Sequence, residues 1–150
     1  MRAVVQRSLE SDVTVNGKVT GSIPAGLVVL LGVEDGDSEE DARFMAEKVC
    51  GLRIFTDTDG KMNLSIMDFP GYKVLAISQF TLLGDVRHGK RPGFTAAARP
   101  DTASALYACF VENVRALGID VEEGVFQAHM QVRITNDGPV TILIDSRKNF

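Results

Sequence analysis

At 150 residues, with 45% hydrophobic and 24% charged side chains, the chain has the make-up of one globular domain, residues 1–150, large enough to bury a core. Its net charge of −4 excludes a protein that coats nucleic acid, which needs dense Lys and Arg, but leaves room for one that grips a few nucleotides. No apolar run approaches the ~20 residues of a membrane helix, and the N-terminus alternates apolar and polar residues as a strand does, so neither membrane insertion nor a signal peptide is expected.

In chain order, residues 2–9 and 12–15 read as strands, and Asn16-Gly17 is a hairpin signal leading into a strand at 18–23. Pro24-Ala25-Gly26 turns the chain into a continuous apolar run, 27–33, expected as a strand buried on both faces. Ser38 and Asp41 form an N-cap and its N3 partner for a helix over 39–51, with Ala42, Met45, Ala46, Val49 and Leu52 on one stripe. A turn at 56–60 and a buried strand at 74–77 follow, with Ser78 at its C-terminal end. Residues 84–100, punctuated by Gly and Pro, read as an irregular loop. Asp101 then opens a second helix with Leu106, Cys109 or Phe110, Val114 and Leu117 on its apolar face, closed by Gly118. Val121, 126–134 and 140–144 complete a strand-rich last third. The fold class expected is mixed α/β, a layered or barrel-like β core with two main helices.

Several familiar chemistries are missing. His88 and His129 have no ligand-like spacing to a second His or Cys, so no metal site is expected, and no cofactor motif stands out. There is no G-x-S-x-G elbow for an activated serine. Asp57-Thr58-Asp59-Gly60 imitates a calcium loop, but its glycine comes too early and Lys61 takes a ligand position. Gly84-x-x-x-x-Gly89-Lys90 imitates a phosphate loop, but Arg91 stands where Ser or Thr should bind magnesium and Pro92 blocks the helix. Cys50 and Cys109 lie in the two expected helices without a C-x-x-C partner. They read as buried free thiols in a reducing compartment, the cytoplasm.

Three clusters remain. Ser78-Gln79-Phe80-Thr81 follows a buried strand, where a scaffold holds side chains and backbone N–H groups at fixed positions. On the residues alone, Gln79 and the hydroxyls only satisfy the strand end and Phe80 joins the core. Thr81 has no evident base to activate it, whereas a backbone oxyanion hole needs none. Asn136-Asp137-Gly138-Pro139-Val140-Thr141 puts a proline inside a strand-like run, the mark of an edge, a bulge or a cis bond, and on its own it reads as a trans turn. Arg87-His88-Gly89-Lys90-Arg91 is the densest basic stretch, either a solvated loop or a phosphate contact.

The first two of these clusters resemble the paired signatures of the D-aminoacyl-tRNA deacylases. Met1-Arg2-Ala3-Val4-Val5-Gln6-Arg7, Leu30-Leu31-Gly32-Val33, Leu52-Arg53-Ile54-Phe55, Gly60-Lys61-Met62-Asn63 and Arg91-Pro92-x-Phe94 also look like that family's, in its order, so the resemblance spans nearly the whole chain. It implies hydrolysis of the ester in D-aminoacyl-tRNA and mischarged glycyl-tRNA, sparing the L form, with catalysis at Ser78, Gln79, Phe80 and Thr81. Substrate would be bound by Met130, Asn136, Gly138, Pro139, Val140 and Thr141, and tRNA by Arg87, Lys90 and Arg91. The Gly138-Pro139 element would be cis and would enter the partner's pocket in a homodimer. The partners implied are the aminoacylated 3′ end of tRNA and a second copy, with no membrane and no DNA. Ser8, the Leu83-Gly84 pair and His88 depart from the family's usual residues without touching the two motifs. A non-catalytic dimeric RNA-binding module, using the basic loop and Phe80 or Phe94 for stacking, is the alternative.

Overall fold

Two parallel crossovers build the centre of the molecule. The computed structural model describes residues 1–150, opening with β1 (Arg2–Ser8), β2 (Ser11–Val15), β3 (Lys18–Ile23) and β4 (Gly26–Gly32). Helix α1 (Glu39–Cys50) and the small hairpin β5 (Phe55–Thr56) and β6 (Met62–Leu64) then carry the chain to β7 (Lys73–Ser78). Helix α2 (Pro100–Ala116), β8 (Val121–Glu123), β9 (Gln131–Arg133) and β10 (Asn136–Asp145) complete it. The main sheet runs β10-β1-β4-β7-β8, with β4–β7 and β7–β8 parallel and the other pairs antiparallel; a second sheet runs β3-β2-β9.

The layering follows from side-chain alternation. One face of the main sheet presents Ala3, Val5, Leu27, Val29, Leu31, Val74 and Ala76 to Met45, Ala46, Val49, Phe110 and Val114 of the helices. The opposite face presents Val28, Leu75 and Ile77 to Val13 and Ile23 of the second sheet. Strand β4 is therefore apolar throughout because both of its faces are covered. The expected barrel-like core is thus an open five-stranded sheet between a helical layer and a second sheet, not a closed barrel.

Local signals explain most boundaries. Ser38 N–H and Oγ both donate to Asp41 Oδ2 at 2.9 Å, closing the start of α1. Asn16 and Gly17 both take left-handed φ, 49° and 77°, as a tight hairpin requires. Asp57 Oδ1 accepts the N–H groups of Asp59 and Lys61 at 2.9 Å, so this carboxylate caps its own turn. Helix α2 begins at Pro100, one residue before the expected Asp101, with Phe110 as its fully buried anchor and Leu117 exposed beyond its end.

Two further elements differ from the sequence expectation. The run 126–134 is strand only over β9, because Gln127 adopts φ 63° and Ala128 N–H donates to Val125 O at 3.1 Å, which makes a turn. Of the two thiols only Cys50 is buried, its pKa pushed up to about 11 by burial; Cys109 is half-buried and both are free. No helix is long and apolar enough to cross a membrane.

Candidate active site

The parallel strands β4 and β7 end together, and their C-terminal ends are where such a sheet offers a crevice. Gln79 N–H donates to Leu31 O at 2.8 Å, extending the pairing one residue past β7. The chain then winds through a short 3₁₀ turn, Phe80–Leu83, with Leu82 N–H on Gln79 O at 3.3 Å and Gly84 N–H on Thr81 O at 3.0 Å. Those bonds leave the N–H groups of Phe80 and Thr81 without a partner inside the turn. Leu83 is the buried anchor, and Gly32 passes directly beneath.

This turn forms the rim of an apolar cavity of about 580 Å³, within the range of small-ligand sites. Leu31 and Val33 from the β4 end, Ile77 and Ser78 from β7, Ala103 and Tyr107 from α2, and residues 126–130 line it together with Gln79 and Phe80. Backbone pairing of Asp35 N–H with Ala96 O at 2.8 Å and Ala98 N–H with Val33 O at 3.0 Å lays Ala97 and Ala98 along its side. Tyr107, its hydroxyl donating to Ala76 O at 3.0 Å, is held far above the usual phenol range by burial.

Of the residues singled out in the sequence, Ser78, Gln79, Phe80 and Met130 line the cavity. Phe80 is not in the core: its ring is 58% exposed and meets Phe94 edge-on at 5.0 Å. Thr81 lies outside the cavity, and its hydroxyl accepts the Gln79 side-chain N–H. No His, Asp, Glu or Lys side chain hydrogen-bonds to Ser78 or Thr81, so neither hydroxyl has a base in contact. No group of three or more His, Cys, Asp and Glu side chains converges as a metal site would require.

The second motif is elsewhere. Asn136, Gly138, Pro139, Val140 and Thr141 begin β10, an edge strand, and Asn136 pairs with Ser8, which in turn faces Gly26 at the start of β4. Ser78 pairs with Leu31 at the other end of β4, so the motifs are roughly 16 Å apart along the strands and further across them. The Gly138–Pro139 peptide is cis, and both residues are exposed. Asn136 braces the segment by accepting Val140 N–H at 3.0 Å and donating to Thr141 Oγ1 at 3.0 Å.

Sequence reasoning passed over three residues here. Arg7 donates to Ile54 O at 2.8 Å and to Asp137 O at 3.2 Å, and pairs with the Asp137 carboxylate at 3.0 Å, so it ties the second motif to the body. A side chain on Gly138 would come within 3.0 Å of the same guanidinium. His129 and Phe126 line the cavity. The signal was present in Phe126-x-Ala128-x-Met130-x-Val132, an apolar alternation that follows the cavity wall instead of a sheet face.

The basic loop hangs from a two-residue clasp: Asp85 N–H donates to Gly93 O at 2.7 Å and Gly93 N–H to Asp85 O at 2.9 Å. Arg87 turns back onto Asp85, with contacts of 2.9 and 2.6 Å, and its hydrogen bonds draw that carboxyl down to about 2. Lys90 and Arg91 are exposed and have no ion-pair partner, so they carry the loop's free charge.

The family described as D-Tyr-tRNA(Tyr) deacylase matches residues 4–145. A protein named D-aminoacyl-tRNA deacylase from Symbiobacterium thermophilum is 61% identical over 150 residues, covering 100% of this chain and 99% of its own. One of the same name from Desulforamulus reducens is 59% identical, covering 100% of both chains. A solved structure described as c-Myc DNA Unwinding Element Binding Protein superposes with a TM-score of 0.89 at 40% identity, covering 97% of this chain and 98% of that one. Another, a probable eukaryotic D-amino acid tRNA deacylase, has the same fold, with a TM-score of 0.81 at 22% identity over 95% and 97% of the two chains.

Proposed function

The chain belongs to the D-Tyr-tRNA(Tyr) deacylase family and is an aminoacyl-tRNA ester hydrolase that acts on D-aminoacyl-tRNA, and from this premise we propose how its own residues perform the reaction. The ester carbonyl lies against the Ser78–Thr81 turn, where the unpaired N–H groups of Phe80 and Thr81 receive the negative charge as water adds to the carbonyl carbon. The acyl carbon–oxygen bond then breaks, the amino acid leaves as a free acid, and the terminal ribose oxygen takes a proton. In this reading the adjacent ribose hydroxyl positions the water, which agrees with the lack of a protein base in contact with Ser78 or Thr81. The apolar cavity beside the turn takes the terminal adenosine, whose flat base suits walls of Ala97, Ala103 and Phe126.

The observation that carries this reading is the turn itself: a polar rim with free backbone donors, set at the end of two parallel strands over an apolar cavity. Thr81 lies outside the cavity and its hydroxyl bonds only to the Gln79 side chain, so it has a positioning part. Thr81→Ala is expected to keep kcat within about tenfold of the parent, the scale of one lost neutral hydrogen bond. A fall of several thousandfold under single-turnover conditions would instead identify a nucleophilic threonine.

Residues 1–150 act as one domain in a homodimer, each cavity being completed by Gly138 and Pro139 of the partner copy. Support comes from the separation of the two motifs within one chain, and from the open edge of β10, where Leu143 is 59% exposed. Carbonyl groups of the Gly138-Pro139 element hold the α-amino group of the substrate. An L side chain would then strike backbone, while a D side chain points away. Glycine, having no side chain, passes the same gate, which makes glycyl-tRNA a substrate.

The nucleic acid is tRNA and not DNA, and the location is the cytoplasm, where aminoacyl-tRNA is found. Two free cations on one loop suit a short phosphate contact near the 3′ end. Changing Lys90 and Arg91 together to alanine is expected to raise KM and flatten its salt dependence by up to about 2 in log–log slope, leaving kcat in place. An unchanged slope would remove the loop from the tRNA contact.

A further inference from the structure

Most glycines of this chain that look obligatory have a left-handed φ, but Gly124 does not, so its backbone would accept alanine without strain. What a side chain there would meet is the thioether of Met130. The space a Cβ would fill at position 124 is occupied by Met130 Sδ, with Ile77 Cδ1 at 3.4 Å and Val13 Cγ2 at 3.5 Å around it. Gly124 is held in place, its N–H donating to Ala76 O at 3.3 Å just beyond β8. Ile77 and Val13 are buried between the two sheets, so an expelled thioether has no room on that side. Its open direction is the cavity, which Met130 already lines together with Ile77.

Resting on the reading of the cavity given above, we propose that Gly124 is a positioning residue that sets cavity depth. The niche it leaves parks the Met130 thioether against the sheet and keeps the inner end of the cavity free for the terminal nucleoside. Methionine suits this part because its unbranched chain moves as a single flexible arm. Nothing at position 124 touches substrate, and its effect passes wholly through Met130.

The test is a double-mutant cycle of Gly124→Ala and Met130→Ala, read by steady-state kinetics on D-tyrosyl-tRNA and by NMR of protein labelled with ¹³C-methyl methionine. Gly124→Ala is expected to raise KM about tenfold, with kcat changed less than about threefold, as mild overpacking of a binding cavity does. In the Met130→Ala background the same substitution should change KM less than about twofold. The Met130 methyl resonance should move in Gly124→Ala while the other methionine signals stay in place. A Gly124→Ala effect on KM that persists without the Met130 side chain would overturn the proposal, as would an unmoved Met130 resonance. If the parent protein fails to release tyrosine at all, the deacylase reading falls, and the methyl spectrum still decides whether Gly124 seats Met130.

Discussion

Gly32→Ala is expected to lower kcat for D-tyrosyl-tRNA about a hundredfold while the protein remains folded, since displacing reacting groups by about 1 Å costs on that order. Gly32 ends β4 without a left-handed φ, so alanine fits its backbone. The added Cβ would lie 2.5 Å from Leu83 Cδ2, 2.9 Å from the Gln79 carbonyl oxygen and 3.3 Å from Leu82 Cβ. Two of those groups are on the turn that presents the Phe80 and Thr81 N–H groups, and the third, Gln79 O, begins it. The turn cannot shift freely as a unit, because Arg2 donates to Leu82 O at 3.3 Å and to Asp145 at 3.3 Å. Donors to a developing oxyanion act over a few tenths of an ångström, so the loss belongs to kcat and not to KM. Thermal unfolding of the variant separates this from global damage. A folded variant with the parent's kcat would mean that the turn does not hold the reacting carbonyl.

Arg7→Ala is expected to open the enzyme to the wrong enantiomer. The guanidinium joins Ile54 O, Asp137 O and the Asp137 carboxylate, and lies against Gly138. Only 12% of its side chain is exposed, so these charge-assisted bonds are poorly replaced by water. Without them the 137–139 segment is braced by Asn136 alone. A gate that works by collision must be stiff, and a loosened one yields to the L side chain. Cleavage of L-tyrosyl-tRNA should rise about 10–100-fold over the parent, the equivalent of the 1.5–3 kcal/mol such bonds contribute, while the D rate changes less. Parallel initial rates on the two enantiomers measure this. An unaltered ratio would show that stereoselection does not depend on the fixed position of Gly138 and Pro139.

How far the sequence could be read depends on the range of the forces involved. The cap at Ser38 and Asp41, the Asn16-Gly17 hairpin and the both-faces-apolar strand β4 are written in neighbouring residues, and the structure has each of them. The last third was harder, because Phe126, Ala128, Met130 and Val132 alternate as a strand does while the left-handed Gln127 bends the backbone into a cavity wall. Arg7 could not be assigned from its place in a strand, since its partners Ile54 and Asp137 are 47 and 130 residues away. The motif at Ser78–Thr81 was visible as a polar step after a buried strand, but the cavity it borders is assembled from β4, β7, α2 and the 126–130 turn. That the two motifs lie at opposite ends of one sheet is a property of strand order, which periodicity does not encode.

The proposed hydrolysis needs the turn for its oxyanion and a backbone gate for its stereochemistry. It is tested most directly by following D-tyrosyl-, L-tyrosyl- and glycyl-tRNA side by side with trace enzyme. Release of amino acid from the D and glycyl forms, with the L form intact through many turnovers, is the predicted result. Binding of all three without release of any amino acid would contradict it and leave an RNA-binding module in its place.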